Sequence, residues 1–356
     1  MSANDKLMSL LEEARTACVT PGAVIAYGDR EQTHELAFGH LDYRGGVPVT
    51  TETIYDIASL TKPVATVAVA MRMASDGRLD PEAPVRSVLP SLPEGIRFEH
   101  LLNHSAGYPA HIEFFNQILG RDELLEAAAA VELEREPGGE SVYSDVGFIL
   151  LGFALEELTG ARLDELAREL VTEPMGMSET QFVDCTGGQS HSESGRVAPT
   201  EDCRWRGGVV RGQVHDENAF AAGGICGHAG LFSTAPDLAR FARSMVGIWN
   251  GAEQHGFVAD AVGHFLEHTV AEGSSWRLGW DTPSGELGVS HAGDRWPRQA
   301  SVGHLAFTGC SMWLHRPTGS YAIMLSNRVH PTRDNSGIRE LRRAVMDQVA
   351  GALGLS

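Results

Sequence analysis

The chain has 356 residues, of which 42% are hydrophobic and 21% are charged. This composition supplies enough apolar material for a globular core and argues against intrinsic disorder. Asp and Glu total 47 against 28 Lys and Arg, so the formal net charge is -19. A surface this acidic repels phosphate backbones and anionic bilayers, so neither nucleic acid nor a membrane surface is an expected partner.

Composition also bears on location and cofactors. No stretch approaches the ~20 continuous apolar residues of a membrane-spanning helix. The N-terminal residues alternate charge and hydrophobe like an amphipathic helix and lack the pattern of a secretion signal. The five cysteines are far apart in sequence and form no CxxC pair, so neither a disulfide framework nor a zinc knuckle is predicted. We therefore expect a cytoplasmic protein that uses no cofactor.

The first predicted elements after the N-terminal helix are a hairpin and a buried helix. Residues 23–27 and 33–38 are short apolar-rich runs separated by a Gly-Asp-Arg turn, which predicts a β-hairpin. In residues 59–74, apolar side chains recur at helical spacing and also occupy the other faces. This pattern is typical of a helix in the centre of a protein.

From residue 76 to 258, Gly, Pro and short helical patterns dominate, and strand signals are sparse. Three helices and one polar loop are predicted within this region, the helices at 123–134, 145–158 and 235–245 and the loop at 186–208. Strand signals return at 305–314 and 321–326, which flank an Arg-Pro-Thr-Gly turn. Residues 338–353 have the pattern of an amphipathic helix.

Strands at both ends and helices in the middle predict an α+β fold. Both termini would form one antiparallel sheet flanked by helices, and an all-helical lobe would be inserted between them. The predicted bounds are residues 1–75 and 259–356 for the sheet lobe and 76–258 for the helical lobe.

The first chemical motif is Ser59-Leu60-Thr61-Lys62. Residues three apart share a helix face, so the Ser59 hydroxyl and the Lys62 amine can meet. Lys62 is one of only two lysines, and it lies at the start of the all-apolar helix, where an isolated ammonium would be costly. It therefore needs close partners or a lowered pKa, and either would help to activate Ser59. The alternative is a helix-capping serine with an incidental lysine.

The second motif is Tyr143-Ser144-Asp145, just before a predicted helix. Beside Lys62, the phenolate of Tyr143 would be stabilised, which makes Tyr143 a candidate general base for Ser59. The alternative is that Ser144 or Asp145 caps the helix while Tyr143 packs in the core.

The third motif is the strand segment GHLAFTG, residues 303–309. An edge-facing strand with exposed N–H groups can supply an oxyanion-hole donor and can pair with an extended substrate. Taken alone, this segment is an ordinary strand.

In this order and spacing, the three motifs resemble those of the serine hydrolases of the penicillin-binding-protein and class C β-lactamase superfamily, which has esterase-like and D-aminopeptidase-like members. Three matches carry the resemblance: Ser59-x-x-Lys62 to SxxK, Tyr143-Ser144-Asp145 to YxN, and His304-Leu305-Ala306 at the place of KTG or HTG. The segments LLNHSAG, VHDENA, GHAGLFSTA and SNRVHP add to it. The resemblance runs from about residue 21 to the end of the chain.

The resemblance implies a β-lactamase/transpeptidase-like fold with the site in the cleft between a sheet lobe and a helical lobe. Ser59 would be acylated, and Tyr143 with Lys62 would carry the proton from Ser59 to the leaving group. The backbone N–H groups of Ser59 and Phe307 would form the oxyanion hole. Water would then hydrolyse the acyl-enzyme.

Three residues depart from the family pattern, and all three concern substrate binding. His304 replaces the KTG lysine and is mostly neutral at pH 7, so the site is poorer at binding the carboxylate of a β-lactam. Ala306 replaces a glycine, and its Cβ would crowd the cleft or tilt the oxyanion donor. Asp145 replaces an asparagine; it would pair with Lys62 and hold it charged, which favours Tyr143 as the base.

We therefore expect a serine hydrolase that acts on small esters, amides or short peptides, with ester cleavage favoured over β-lactam cleavage. One alternative is a D-amino-acid peptidase or carboxypeptidase. Another is a catalytically weak homologue that binds or senses a ligand. Four further histidines lack HExxH or similar ligand spacing, so no metal site is expected: His104, His215, His228 and His291.

Overall fold

A computed structural model describes residues 2–118, 120–191, 195–283 and 288–355 of the chain. The α-helices α1 to α10 are, in chain order, Ala3–Thr16, Ala68–Ser75, Phe98–Leu102, Arg121–Ala129, Asp145–Thr159, Leu163–Ala167, Glu217–Ala221, Ala235–Trp249, Ala259–Glu267 and Ile338–Ala352. Short 3-10 turns are Ala58–Leu60, Val85–Ser87, Phe114–Asn116 and Thr186–Gly188, and π-helical segments are Lys62–Val67 and Arg168–Thr172.

The strands β1 to β10 are Gly22–Gly28, Thr33–Gly39, Tyr55–Asp56, Gln181–Phe182, Asp202–Cys203, Gly208–Val209, Leu231–Ser233, Ser301–Leu305, Ser311–His315 and Ser320–Ser326. Five of them form an antiparallel sheet in the order β2-β1-β10-β9-β8, and the others form the small sheets β3-β7-β4 and β5-β6. β1 pairs with β10 so that Ala23 lies opposite Ser326 and Gly28 opposite Tyr321. The large sheet is therefore built from both termini, as predicted.

Helices cover both faces of this sheet. Side chains alternate between the two faces along a strand. In β1, Val24 and Ala26 accordingly join the main apolar core, whereas Ala23, Ile25 and Tyr27 join a second one. The second core is closed by α1 and α10, and α8 packs against β1 and β10 from the other side. Cover on both faces explains why β1 is apolar throughout rather than alternating.

Most predicted elements are confirmed, but one C-terminal strand is not. The hairpin β1–β2 and the helices α5, α8 and α10 lie where they were predicted, and α4 ends at Ala129 rather than at 134. The hairpin predicted around residues 316–319 is confirmed by β9 and β10, but its first strand was placed too early, because β8 ends at Leu305 and β9 begins at Ser311. Between them the chain reverses, and Gly309 takes a positive φ of 113°. The two strands then pair with each other.

The division into two lobes with bounds at 75/76 and 258/259 stays a prediction. Helix α8 lies within the range assigned to the helical lobe and packs on the sheet. Part of the polar loop predicted at 186–208, residues 192–194, lies outside the described residues. Among the helices of the described ranges, none is both long enough and apolar enough to cross a bilayer.

Candidate active site

A buried carboxylate fixes the segment that carries Ser59. Asp56, the last residue of β3, accepts hydrogen bonds from the backbone N–H groups of Ala58 (2.8 Å) and His215 (2.6 Å). Ala58 has a positive φ of 41°, which is unfavourable for a residue with a Cβ and must be held by its surroundings. The backbone immediately before Ser59 is therefore tightly constrained.

The helix predicted at residues 59–74 forms, but its first turns are not α-helical. Ala58–Leu60 is a 3-10 turn and Lys62–Val67 is a π-helical segment, after which α2 continues. Ser59 and Lys62 lie on adjoining turns, so their side chains approach each other as the SxxK spacing predicts. Short π-helical segments are rare and occur frequently at functional sites.

The Lys62 ammonium is the centre of a hydrogen-bonded cluster. Its side chain is fully buried, and Nζ lies 3.2 Å from Ser59 Oγ, 2.6 Å from the Tyr143 hydroxyl and 2.8 Å from Asp145 Oδ1. The main-chain oxygen of His228 lies 3.1 Å away. An ammonium has three N–H donors, so four acceptors share them and the longest contact, to Ser59, is the weakest. Lys62 thus has the close partners that its burial requires.

Tyr143 reaches the same cluster from the residue before the cap of α5. Its hydroxyl donates a hydrogen bond to Ser59 Oγ at 2.8 Å. The next residue, Ser144, caps α5, since its hydroxyl oxygen accepts from the Gly147 N–H at 3.1 Å. Ser144 therefore caps the helix, as one alternative had it, but Tyr143 lines the cleft beside Ser59 and does not belong to the core.

The charges of this cluster favour a cationic Lys62 and a neutral Tyr143. Burial lowers the pKa of Lys62, but the Asp145 carboxylate and Tyr143 outweigh this effect, and the net pKa is raised. Burial raises the pKa of Tyr143 to about 12, although the Lys62 cation acts in the opposite direction. The predicted stabilisation of the Tyr143 phenolate by Lys62 is therefore present, but burial overrides it in the free protein.

The opposite wall of the site is β8 and the turn that follows it. His304, in β8, is buried; its Nδ1 lies 2.7 Å from the Leu305 oxygen, and its Nε2 has no hydrogen-bond partner within the described part of the chain. Burial, together with the Lys62 charge, lowers the pKa of His304 to about 3. The imidazole is therefore neutral at pH 7, as predicted, and offers no cation to a substrate carboxylate.

Ser59 and Phe307 line one cleft of about 830 Å³, together with Asp145 and Ala306. For the residues that the structure describes, no acceptor is found for the backbone N–H of either Ser59 or Phe307. That these two N–H groups form an oxyanion hole stays a prediction. Ala306 is buried, and its own N–H donates to the Cys310 oxygen at 2.8 Å. Whether its Cβ tilts the Phe307 donor stays a prediction.

Two residues of the cleft were not predicted from the sequence. The ring of Trp276 lies 5.5 Å, centroid to centroid, from both Tyr143 and His304, and forms an aromatic wall beside them. On another side, Nδ1 of His111 lies 3.4 Å from Asp145 Oδ2. Their partners are far away in sequence, so no local spacing or motif could have identified either residue.

Three of the histidines considered as metal ligands bind other protein groups: His104 the Ser144 N–H, His215 the Glu201 carboxylate and His228 the Asp216 carboxylate. The fourth, His291, lines the cleft. Ligand atoms of Glu201, Cys203 and Glu217 lie within 4.8 Å of one another. Both of these glutamates, however, pair with Arg333, so an arginine already offsets part of their charge.

Comparisons with known proteins agree with this geometry. A sequence model of the β-lactamase family matches residues 7–346. A protein of Escherichia coli (strain K12), named "Putative D-alanyl-D-alanine carboxypeptidase", is 30% identical over 313 residues, which cover 80% of this chain and 71% of that protein. The chain therefore belongs to the β-lactamase family, which confirms the resemblance drawn from its motifs.

Solved structures share the fold at lower identity. The octameric penicillin-binding protein homologue from Pyrococcus abyssi has a TM-score of 0.73 at 22% identity, over 91% of this chain and 73% of that one. EstCE1, a hydrolase with promiscuous acyltransferase activity, has a TM-score of 0.75 at 20% identity, over 98% of each chain. These likenesses establish the β-lactamase/transpeptidase-like α+β fold. Family and fold together make the protein a β-lactamase-family hydrolase.

Proposed function

We propose that the protein is a serine hydrolase that forms an acyl-enzyme on Ser59 and acts on small esters or amides. The observation that carries the proposal is the position of Ser59 Oγ in the cleft, 2.8 Å from the Tyr143 hydroxyl and 3.2 Å from Lys62 Nζ. Acyl transfer needs a hydroxyl within hydrogen-bond distance of a proton acceptor and beside free N–H donors. Ser59 has both.

Acylation begins when Ser59 loses its proton. In the molecules in which Tyr143 is a phenolate, the phenolate oxygen takes this proton and Ser59 Oγ bonds to the substrate carbonyl carbon. The carbonyl oxygen becomes an oxyanion, which the N–H groups of Ser59 and Phe307 bind. When the C=O bond re-forms, the bond to the leaving group breaks, and Tyr143 gives the proton to that group. Lys62 stays cationic and stabilises the phenolate.

Deacylation repeats these steps with water as the nucleophile. The water gives a proton to the Tyr143 phenolate, and its oxygen bonds to the acyl carbon. The second oxyanion collapses as the bond from carbon to Ser59 Oγ breaks. Tyr143 returns the proton to Ser59 Oγ, and the acid product leaves.

The neutral charge of His304 favours ester cleavage over β-lactam cleavage. A β-lactam presents a carboxylate, and in the family motif a lysine stands where this chain has His304. Burial lowers the pKa of His304 to about 3, so the imidazole does not become a cation near neutral pH. A neutral ester requires no such cation.

Active-site labelling tests the proposal. We expect a fluorophosphonate probe to add its mass to the peptide that contains Ser59, and we expect p-nitrophenyl esters to be hydrolysed. Ser59→Ala should abolish both. Ser105→Ala is the matched control, since the Ser105 hydroxyl donates to Asn103 Oδ1 at 2.7 Å, away from Lys62. Labelling that persists in Ser59→Ala, or no labelling of the wild type by several probes, contradicts the proposal.

A peptidase for D-amino-acid peptides is the second candidate, and the name of the E. coli relative favours it. A substrate panel of D-alanyl-D-alanine peptides and p-nitrophenyl esters separates the two activities. We expect a higher kcat/KM for the esters. A higher kcat/KM for release of D-alanine would identify the protein as a peptidase instead of an esterase. The acyl-enzyme mechanism would be the same in both cases. The third possibility is a catalytically weak homologue that binds or senses a ligand. It requires that a ligand binds while Ser59 is not labelled and no ester or peptide is cleaved.

A further inference from the structure

Two buried arginines that line the cleft have no carboxylate partner within the described residues. Arg328 and Arg342 are 9% and 5% exposed. Among the described residues, no Asp or Glu lies within ion-pair distance of either guanidinium, whereas the nearby Arg333 and Arg343 both have acidic partners. Burial lowers the pKa of Arg342 to about 10, so it remains a cation at neutral pH. A buried charge without a counter-charge is costly and requires an explanation.

Arg342, on α10, directs its guanidinium at one turn. Nη2 donates to the carbonyl oxygens of Ala306 (2.5 Å) and Cys310 (2.9 Å), and Nε donates to that of Gly309 (3.2 Å). The Ala306 carbonyl and the Phe307 N–H belong to the same peptide group. A charged donor on the oxygen of a peptide group polarises the group and makes its N–H a stronger donor. Arg342 therefore acts on the proposed oxyanion donor through one peptide group.

Arg328 acts on the next peptide group of the same turn. Its Nε donates to the Phe307 carbonyl oxygen at 2.7 Å, and its Nη1 donates to two carbonyl oxygens of the loop before α10. The Phe307 ring lies over this guanidinium, 4.4 Å from its centre. The turn at 306–310 is thus held by two cations whose hydrogen bonds, within the described residues, all go to carbonyl oxygens.

We propose that Arg342, together with Arg328, is a positioning residue of the oxyanion hole: it polarises the Ala306–Phe307 peptide group and supplies the buried positive charge that the oxyanion of the tetrahedral intermediate balances. This inference rests on the proposed function, since it assumes acylation at Ser59. In the free protein, the two guanidinium groups donate to carbonyl oxygens, and no carboxylate of the described residues lies within ion-pair distance of either. When the oxyanion forms at the Phe307 N–H, a full negative charge appears one peptide group away, in surroundings of low dielectric.

The attraction is therefore stronger in the transition state than in the ground state. Only interactions with that property lower the barrier of the chemical step. If Arg342 merely held the turn in place, transition-state affinity would depend on whether its hydrogen bonds are kept and not on whether its charge is kept. The charge dependence of that affinity separates the two roles.

Phenylboronic acid measures this affinity directly. Ser59 Oγ bonds to boron, the hydroxyl proton passes to solvent, and boron becomes a tetrahedral anion similar in shape and charge to the acylation intermediate. Ser59→Ala should not form this adduct. If the wild type neither binds phenylboronic acid nor becomes labelled at Ser59, the proposed function itself fails, and this is seen before any arginine is changed.

Arg342→Gln removes the charge and keeps a hydrogen-bond donor. We expect kcat for a p-nitrophenyl ester to fall ~10- to 100-fold with KM within ~3-fold, and the Kd of phenylboronic acid to rise by a similar factor. Arg342→Lys keeps the charge and should recover part of both. Arg343→Gln is the matched control, because Arg343 is the next residue on α10 and pairs with Asp294. For Arg343→Gln, both kcat and the Kd of phenylboronic acid should stay within ~2-fold of the wild-type values.

Circular dichroism and the melting temperature establish that each variant is folded. The proposal is overturned if folded Arg342→Gln binds phenylboronic acid within ~2-fold of the wild type. It is also overturned if the Gln and Lys variants lose affinity equally, because the charge then has no role. If Arg342→Gln does not fold, the pair Arg328→Gln and Arg328→Lys decides by the same criteria.

Discussion

The two walls of the cleft differ in how their buried cations are paired. On the wall that carries Ser59, the buried Lys62 cation is paired with the Asp145 carboxylate at 2.8 Å. On the wall formed by the turn after β8, the cations Arg328 and Arg342 are met only by carbonyl oxygens within the described residues. The first wall pairs its cation before any substrate arrives, whereas the cations of the second have no ion-pair partner among the residues described.

This difference fits a division of tasks between the walls. The Lys62 cluster is suited to proton transfer, because the Tyr143 hydroxyl lies 2.8 Å from Ser59 Oγ and 2.6 Å from the Lys62 cation that stabilises its phenolate. A wall with unbalanced positive charge is suited to receive an oxyanion. Variants of the first wall should therefore change the pH dependence of turnover. Variants of the second wall should change transition-state affinity instead.

Lys62→Met should give the largest loss. Methionine fills similar space without the charge, so Tyr143 loses the cation that opposes the effect of burial on its pKa, and Asp145 loses its partner. We expect kcat/KM for a p-nitrophenyl ester to fall by ~10³-fold, and the free energy of unfolding to fall by roughly 3 kcal/mol. Ester kinetics and urea unfolding measure the two effects. A folded variant with less than ~10-fold loss would exclude Lys62 from proton transfer.

Tyr143→Phe should cost ~10²-fold and should also alter the pH profile. The deprotonated form of Tyr143 is the proposed base, and burial raises its pKa to about 12. The fraction of active base therefore increases as the pH rises towards 12, and wild-type acylation should accelerate throughout the neutral and mildly alkaline range. Rapid-mixing kinetics across this range measure the rise. An equal rise in Tyr143→Phe would rule out Tyr143 as the base.

The sequence predicted the local structure of the wall that carries Ser59 better than that of the wall that faces it. Ser59, Lys62 and Tyr143 could be found because each stands in a motif, and the SxxK spacing is itself a property of helices. The turn after β8 was missed because Ala306 and Phe307 have the composition of a strand. The chain reverses there with the help of arginines that come from later in the sequence, which no local pattern reveals.

The charges of the site could be predicted only in part. The pairing of Asp145 with Lys62 follows from opposite charge and was expected. The raised pKa of Tyr143 was not, because it depends on burial and therefore on the whole tertiary structure around the ring. The segment SNRVHP supports the resemblance by its letters alone, and the contacts of Arg328 with the turn after β8 could not be predicted from it.

Asp145→Asn should increase activity near neutral pH. Apart from the effect of burial, the Asp145 carboxylate raises the pKa of both Lys62 and Tyr143. A neutral amide removes this contribution, so the rise of kcat/KM with pH should shift to lower pH by about one unit, which is roughly a tenfold gain at pH 7. Ester kinetics of both proteins across the pH range measure it. A loss at every pH would instead mean that Asp145 is needed to hold Lys62 in place.

The smallest effect is expected where the two walls are linked. Thr308 Oγ1 donates to the main-chain oxygen of Asp56 at 2.8 Å, and the Asp56 carboxylate holds the segment that carries Ser59. We expect this link to set the separation of the Ser59 and Phe307 N–H groups. Thr308→Val keeps the shape and removes the hydroxyl, so kcat should fall ~3-fold with KM unchanged, and the free energy of unfolding should fall by about 1 kcal/mol.

Thr308→Ser supplies the matched control, because it restores the hydroxyl and omits only a methyl group. Its kcat for a p-nitrophenyl ester should return to the wild-type value, while part of the stability loss remains because a small cavity is left. A valine variant that is less stable but equally active would mean that the link supports the fold and not the oxyanion hole. A serine variant as slow as the valine variant would assign the effect to packing. Recovery of kcat by the hydroxyl alone would mean that the two walls work as a unit because one hydrogen bond sets their distance.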